Sequence, residues 1–324
     1  MPPEWAQHQG VWIGFPWDKA EWPDHLVDAQ REIAAFANAV HDGGAGERVY
    51  LITGSDEAAA TARSMVHPQI DVQTRAIGDS WLRDTGCIIV RDGEQLQARN
   101  FRFNGWGGKY VMEGDQQIGR LLAHEASLPV TDCDWILEGG AIDVDGSGIA
   151  VTTQQCLLNP NRNPLMDRSD IEAALLRDLG IARVLWLGEG LAGDHTDGHV
   201  DNLARFFAPE HIAIPKAASA SDPNAEIYSD AARRAEQFGL AVTRLPSPGY
   251  YAPKGDIMPA SYMNFYIANT TVIVPAFGLP CDVAARDAVA ALFPDRQAIS
   301  LSSAALLHGG GSFHCCSQQI PTAR

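Results

Sequence analysis

Apolar positions along this chain alternate between two rhythms. In LVDAQREIAAFANAV, residues 26–40, Leu26, Ile33, Phe36 and Val40 share one face at helical spacing, so a helix packed on a core is predicted there. VWIGF, just before it, reads as a short strand, and ERVYLITG, residues 47–54, as a buried strand ending at Gly54. Further helical segments fall near 56–66, 115–126, 169–179, 226–238 and 282–292. In the 169–179 segment Ser169 stands three residues before Glu172, the spacing of a capping box, and Gly180 supplies the stop.

After each helix comes a strand-like run and then a polar entry into a two-stranded segment. The entries are Asp84 in RDTGCIIV, Glu138 in LEGGAIDV, His199 and Asp201 in GHVDNLARFF, Asn264 in SYMNFYIAN and Cys315 in FHCC. The hairpin tails GIAVTTQ, HIAIPK and TVIVPA also resemble one another. Five units of about 50 to 65 residues, with no polar capping repeat at either end, suggest a closed pseudo-symmetric ring in which the five entries meet at one centre. The alternative is a doubly wound parallel sheet, but no strand leads into GxGxxG and no GxxxxGK[ST] is present. NGWGGKY, residues 104–110, matches no phosphate loop and reads as a constrained loop with Trp106 and Tyr110 as pocket walls. No linker divides the chain, so one catalytic domain over residues 1–324 is expected. LPSPGYYAPKG, residues 245–255, is long enough for a rim loop or lid carrying two tyrosines and Lys254, although a plain surface loop fits equally.

Composition narrows the function. The chain is 46% hydrophobic and 20% charged, ordinary for a globular protein. Its 24 Lys and Arg against 40 acids, a net charge of -16, disfavour nucleic acid and favour small cationic ligands. The six cysteines form no CxxC pair, which argues against a zinc knuckle or a disulfide scaffold. No apolar run approaches a membrane span and the start lacks a signal-like pattern, so a cytoplasmic protein with reduced thiols and no membrane partner is expected.

The densest ionisable cluster is GDHTDGHVD, with Asp194, His195, Asp197, His199 and Asp201. On a strand, His199 and Asp201 would lie on the same side. Such a cluster can bind metal, act as a general base or merely face solvent; it lacks HExxH and HxHxDH spacing. Asp84, Glu138 and Asp201 at equivalent repeat positions would be costly to bury together unless a cation joins them. Cys315 and Cys316 are adjacent, so in a strand only one can enter the site. His199 is the better acid/base partner, because His314 alternates in direction with Cys315. A thiol, a histidine and three carboxylates suit attack on the electrophilic carbon of a guanidinium, whose forked N–H donors carboxylates bind.

Through FNGWGGKY, WLRDTG, EGG, HTDGHVDNLARF, NFYIAN, VIVPAFG and GGGSFHCCSQQ, in this order apart from the first two, the chain resembles the agmatine deiminases. These are a branch of the guanidine-modifying superfamily that also holds arginine deiminases and bacterial-type peptidylarginine deiminases. The resemblance implies an α/β fold, a five-bladed β/α propeller (pentein) of ββαβ repeats. It also implies Cys315 as nucleophile, His199 as acid/base, Asp84 and Asp201 as holders of the guanidinium, and Glu138 as the group orienting His199. The product would be N-carbamoylputrescine, with no metal or other cofactor required and a cationic guanidine as the partner; a homodimer is compatible with it. Trp81, Trp106 and Gly311 join the expected substrate contacts, and charge alone assigns Asp194 and Asp197 to the distal amine of agmatine. Cys87, Phe313, Cys316 and Ser317 depart from the family pattern and leave arginine or peptidylarginine open as substrates. From other classes, a metal-dependent hydrolase at His195, His199 and Asp201 or a non-catalytic guanidine-binding ring would also use these residues.

Overall fold

The computed structural model describes residues 1–253 and 255–323, so Lys254 lies outside the described residues. Its strands form five small sheets, one of four strands and four of three. In each three-stranded sheet an antiparallel hairpin is followed by a helix that returns the chain parallel to the second hairpin strand. Thus Ile88–Asp92 pairs with Gln95–Arg102, and helix Asp115–Glu125 leads to the parallel strand Val130–Ile136. The same ββαβ order recurs from Asp143–Val144 to Arg183–Leu187, from Arg205–Ala208 to Ala241–Pro246, and from Tyr266–Ile267 to Gln297–Ser302.

The fifth blade is assembled from both ends of the chain. Ser317–Pro321 runs antiparallel to His8–Gly14, with Val11 opposite Gln319, and His8–Gly14 runs parallel to Arg48–Thr53, which in turn pairs with Asp71–Thr74. This pairing closes the ring, so every blade has neighbours on both sides and none needs a polar cap.

In three of the blades the middle strand is covered on both faces, which explains its apolar run. Ile149–Thr153 is buried at every position, and so are the central residues of His211–Lys216. Helix Leu26–His41 buries Ile33, Phe36 and Val40 as the spacing predicts, and stops where Asp42 turns left-handed at φ 48°. Helix Arg168–Leu179 does stop at Gly180, but its cap differs from the Ser169–Glu172 expectation. Asp167 is the N-cap and Asp170 its reciprocal partner. The Ser169 hydroxyl instead donates to Asp167, and Glu172 accepts the Trp186 indole N–H at 2.7 Å. The helix begins one residue earlier than expected because two carboxylates satisfy its first amides better than one hydroxyl.

Gly14, at the end of its strand, packs against the backbone that leads into Trp81 and Asp84; a Cβ there would stand 2.0 Å from the Ser80 carbonyl oxygen. Gly14→Ala is therefore expected to destabilise the chain by about 1–3 kcal/mol, as overpacking does. Urea unfolding checks it, and an unchanged midpoint would show that this contact yields freely.

Candidate active site

Each blade contributes one polar side chain to the centre from the tight turn that precedes its first strand. Asp84 lies in the helical turn Leu82–Thr85, Glu138 before the turn Gly139–Ala141, and Asp201 within the turn Val200–Asn202. Asn264 precedes Tyr266–Ile267, and Cys315 sits in a turn before Ser317–Pro321. The expectation that strands carry His199, Asp201 and Cys315 is therefore corrected. Asp197 and Gly198, both at positive φ, bend the chain sharply just before His199 and take it out of any ladder. A turn can aim successive polar groups along the ring axis, where a strand would send alternate ones away.

The five groups meet in a small volume. The Cys315 thiol lies 3.5 Å from Asp201 Oδ2 and receives the Asn264 side-chain N–H at 3.0 Å. Asn264 Oδ1 also accepts the backbone N–H groups of His314 and Cys315, so one amide holds both the thiol and its turn. Asp84 accepts the Trp106 indole N–H at 2.8 Å and the Gly140 N–H at 2.9 Å. The His199 ring lies between two carboxylates, Nδ1 3.6 Å from Asp84 Oδ2 and Nε2 3.9 Å from Glu138 Oε2. Among the described residues, neither ring nitrogen, nor Glu138 Oε2, nor Asp201 Oδ1 has a hydrogen-bond partner although all are buried. A buried cluster with open acceptors is poised for a cation carrying several N–H donors.

Charges in the cluster are unequal. Burial disfavours the imidazolium of His199, but Asp84, Cys156 and Glu138 outweigh it and hold the ring well above its ordinary pKa. Burial opposes ionisation of Glu138 too, and there His199 and Arg162 win and lower it. Asp84 is raised, first by burial and then by Asp201 and Glu138. Burial, reinforced by Asp201 and Asp84, pushes the Cys315 thiol well up. The charges of the cluster therefore favour a neutral Cys315 thiol and a protonated His199 imidazole.

A cavity of about 170 Å³ reaches Cys315 and Asp84, with Trp81, Trp106, Tyr110 and Gly311 in its wall. Gly311 has no room for a side chain, since a Cβ would lie 2.5 Å from the Trp81 ring. Asp194 and Asp197 are not among the residues that line this cavity. Both are taken up inside the protein: Asp194 accepts the His199 backbone N–H and both Thr196 donors, while Asp197 is held by Lys109, Asn161 and Arg162. Besides Asp84, the carboxylates in the wall are Glu21 and Asp79. His195 stacks on Tyr110 at the wall and so stands apart from His199 and Asp201 as a metal set. The three groups whose ligand atoms lie within 4.8 Å of one another are Glu138, Cys156 and His199.

Sequence reasoning missed Cys156 and Arg162. Arg162 Nε binds Glu138 Oε1 at 2.8 Å and is buried with it, a partner that no spacing announces. Asn264 had been noticed only as a repeat position, and that position was the signal. The departures Cys87, Phe313, Cys316 and Ser317 are all buried away from the cavity. Cys316 faces Ser80, and Phe313 packs on Phe36, so the two adjacent thiols do point apart. Tyr250 is exposed and Tyr251 packs on Phe277, and neither lines the cavity.

Five ββαβ blades closed into a ring around a thiol, an imidazole and carboxylates define a pentein with a thiol-centred site. The chain belongs to the Porphyromonas-type peptidyl-arginine deiminase family, whose model matches residues 1–321. It is 34% identical to the agmatine deiminase of Stutzerimonas stutzeri strain A1501, an alignment covering 99% of this chain and 95% of that protein. Among solved structures, the agmatine deiminase of Enterococcus faecalis superposes with a TM-score of 0.93 at 29% identity, over 100% of this chain and 96% of that one. A cysteine-to-serine variant of the C. jejuni agmatine deiminase with substrate bound gives 0.92 at 27% identity, over 98% and 95%.

Because Asp201 is one of the charges opposing the Cys315 thiolate, Asp201→Asn should lower the thiol pKa and raise its alkylation rate by uncharged iodoacetamide by roughly tenfold at a given pH. Site-resolved mass spectrometry of Cys315 reads this, and an unchanged or slower rate would show that burial alone sets the thiol.

Proposed function

We propose that this chain, acting as one catalytic domain over residues 1–324, hydrolyses the guanidinium of agmatine to N-carbamoylputrescine and ammonia through a covalent Cys315 intermediate. The observation that carries the reading is the thiol of Cys315, buried beside Asp201 and opening with Asp84 into one cavity. The full-length likeness to agmatine deiminases supports it.

Asp84 and Asp201 take the N–H groups of the guanidinium, whose carbon then faces Cys315 Sγ. The entering cation relieves the charge that opposes thiolate, so a proton leaves to solvent as the cation arrives, and the nucleophile forms only on a loaded site. Sγ attacks the guanidinium carbon, and the protonated His199 gives its proton to the departing nitrogen, which leaves as ammonia. What remains is an S-alkylthiouronium. Neutral His199 then takes a proton from water as that water attacks the same carbon; the C–S bond breaks, and the urea and the thiol are released. Glu138, anchored by Arg162, keeps the imidazole oriented through both proton transfers.

Substrate choice follows from the wall. Trp81, Trp106 and Met112 offer apolar surface to four methylenes, and Glu21 and Asp79 offer charge to the distal ammonium. Asp79 is pushed up to about 6, chiefly by burial and despite the indole N–H it accepts from Trp22, and a bound ammonium would favour its ionised form. Among the described residues lining the cavity there is no Arg or Lys to receive the α-carboxylate of free arginine. Among the described residues, no helix is long and apolar enough to cross a membrane. A cytoplasmic location, in keeping with six free thiols, and a homodimer belong to the same proposal.

Ammonia release measured with agmatine, free arginine and a blocked arginyl peptide should be fastest with agmatine, and a preference for arginine would sink the substrate assignment. Cys315→Ser should release none, whereas Cys316→Ala should stay within about twofold of wild type, since Cys316 is packed away from the cavity. Glu21→Gln should raise KM for agmatine on the order of tenfold and leave that for n-butylguanidine, which lacks the ammonium, unchanged. Equal effects on both substrates would move the ammonium elsewhere.

A further inference from the structure

A buried chain of charged groups meets the site from outside the cavity wall and has no part in the proton transfers above. His314 Nδ1 lies 2.8 Å from Asp201 Oδ2, and His314 Nε2 lies 2.8 Å from Glu4 Oε2. All three side chains are nearly inaccessible to solvent. Ionised carboxylates only accept hydrogen bonds, so both ring nitrogens must carry hydrogen, and the ring between them is an imidazolium. Glu4 is held firmly in turn. Its Oε1 accepts the Ile267 N–H at 2.8 Å, Arg205 Nη2 lies 2.9 Å from its Oε2, and Arg83 Nη2 donates to the same oxygen at 3.5 Å.

We propose that Glu4 is a positioning residue for the reaction, fixing through the His314 imidazolium both the orientation and the negative charge of Asp201. The inference rests on the deiminase reading, in which Asp201 meets the thiol and the guanidinium. Glu4 is 311 positions from Cys315 and touches neither. It acts because His314 adjoins the nucleophile in sequence and its ring bridges Glu4 to the Asp201 oxygen that the thiol also meets.

The sign of the effect follows from the charges around Asp201. These are His314, His199 and Arg205, which favour its ionised form, and Asp84 and the Cys315 thiol on the cavity side. Around His314 stand Glu4, Asp201 and Asp143, and Arg83, whose guanidinium reaches the His314 carbonyl. Burial disfavours ionised Asp201, and it stays lowered because His314, together with His199 and Arg205, outweighs burial. Removing the charge of Glu4 takes away one of the two carboxylates that hold the His314 ring, and its contact with Asp201 weakens. Asp201 then loses support from its cationic partner and its pKa rises, so activity is lost at a higher pH than before.

The test uses the intact chain. In wild type labelled with ¹⁵N-histidine, the His314 resonances, identified by their loss in His314→Gln, should show both nitrogens protonated without substrate; a neutral ring overturns the proposal. In Glu4→Gln the acidic limb of kcat/KM for agmatine should move up on the order of one pH unit, with KM raised more than kcat is lowered. Glu4→Asp, which keeps the charge, should fall between the two. A folded Glu4→Gln protein with wild-type KM and acidic limb also overturns the proposal, and if that variant does not fold the ¹⁵N measurement decides. A wild type without deiminase activity would instead count against the deiminase reading, because the charge of His314 is read without substrate.

Discussion

The pairing of Ser317–Pro321 with His8–Gly14 is the contact on which the rest of the molecule depends. It joins segments about 300 residues apart, so its loop-closure cost is among the largest the chain can incur, and many cooperative contacts must already be in place. Only when it forms does the last turn of the chain, with Cys315, take its place beside four turns from other blades. The same event brings Glu4, four residues before His8, beneath the centre. Ring closure and assembly of the site are one step.

A centre built this way collects charge that would be intolerable alone. Asp84, Glu138, Asp201, Glu4 and Asp143 are all buried, against Arg83, Arg162 and Arg205 and two histidines. Arg205 is enclosed completely and lies against Glu4 and Asp143, while Arg162 ties Glu138 to Asp197 and the loop around it. Buried pairs of this kind add little net stability over apolar packing, but breaking one leaves an unpaired charge at heavy cost. The result is a rigid cluster with a few open acceptors, the condition a preorganised site requires. Substrate then supplies the missing cation.

The blade pattern was legible in the sequence because each blade repeats the same local problem. A helix, a hairpin and a polar residue at the turn before it leave the same trace five times, and Asp84, Glu138, Asp201, Asn264 and Cys315 could be placed from it. What misled was treating the inward residues as members of strands. Gly198 and the left-handed Asp197 break the chain before His199, a local event that alternation of apolar residues cannot report. Charge alone could not tell how Asp197 is held, because its partners Lys109, Asn161 and Arg162 are 35 to 88 residues away in sequence, while Asp194 is taken up locally by Thr196 and His199.

By itself the sequence determined most of the helices and hairpins, their fivefold recurrence, the repeat positions of Asp84, Glu138, Asp201, Asn264 and Cys315, and the likeness to a guanidine-modifying family. These are consequences of short-range periodicity and of motifs carried by contiguous residues. Tertiary structure alone decided which carboxylates face the cavity, Glu21 and Asp79 in place of Asp194 and Asp197, and which are spent on Arg162 and the His199 backbone. It alone placed Cys156 beside His199 and Glu4 against His314. Those choices depend on contacts between blades, and no residue carries in its own neighbourhood a record of what the closing of a ring will bring against it.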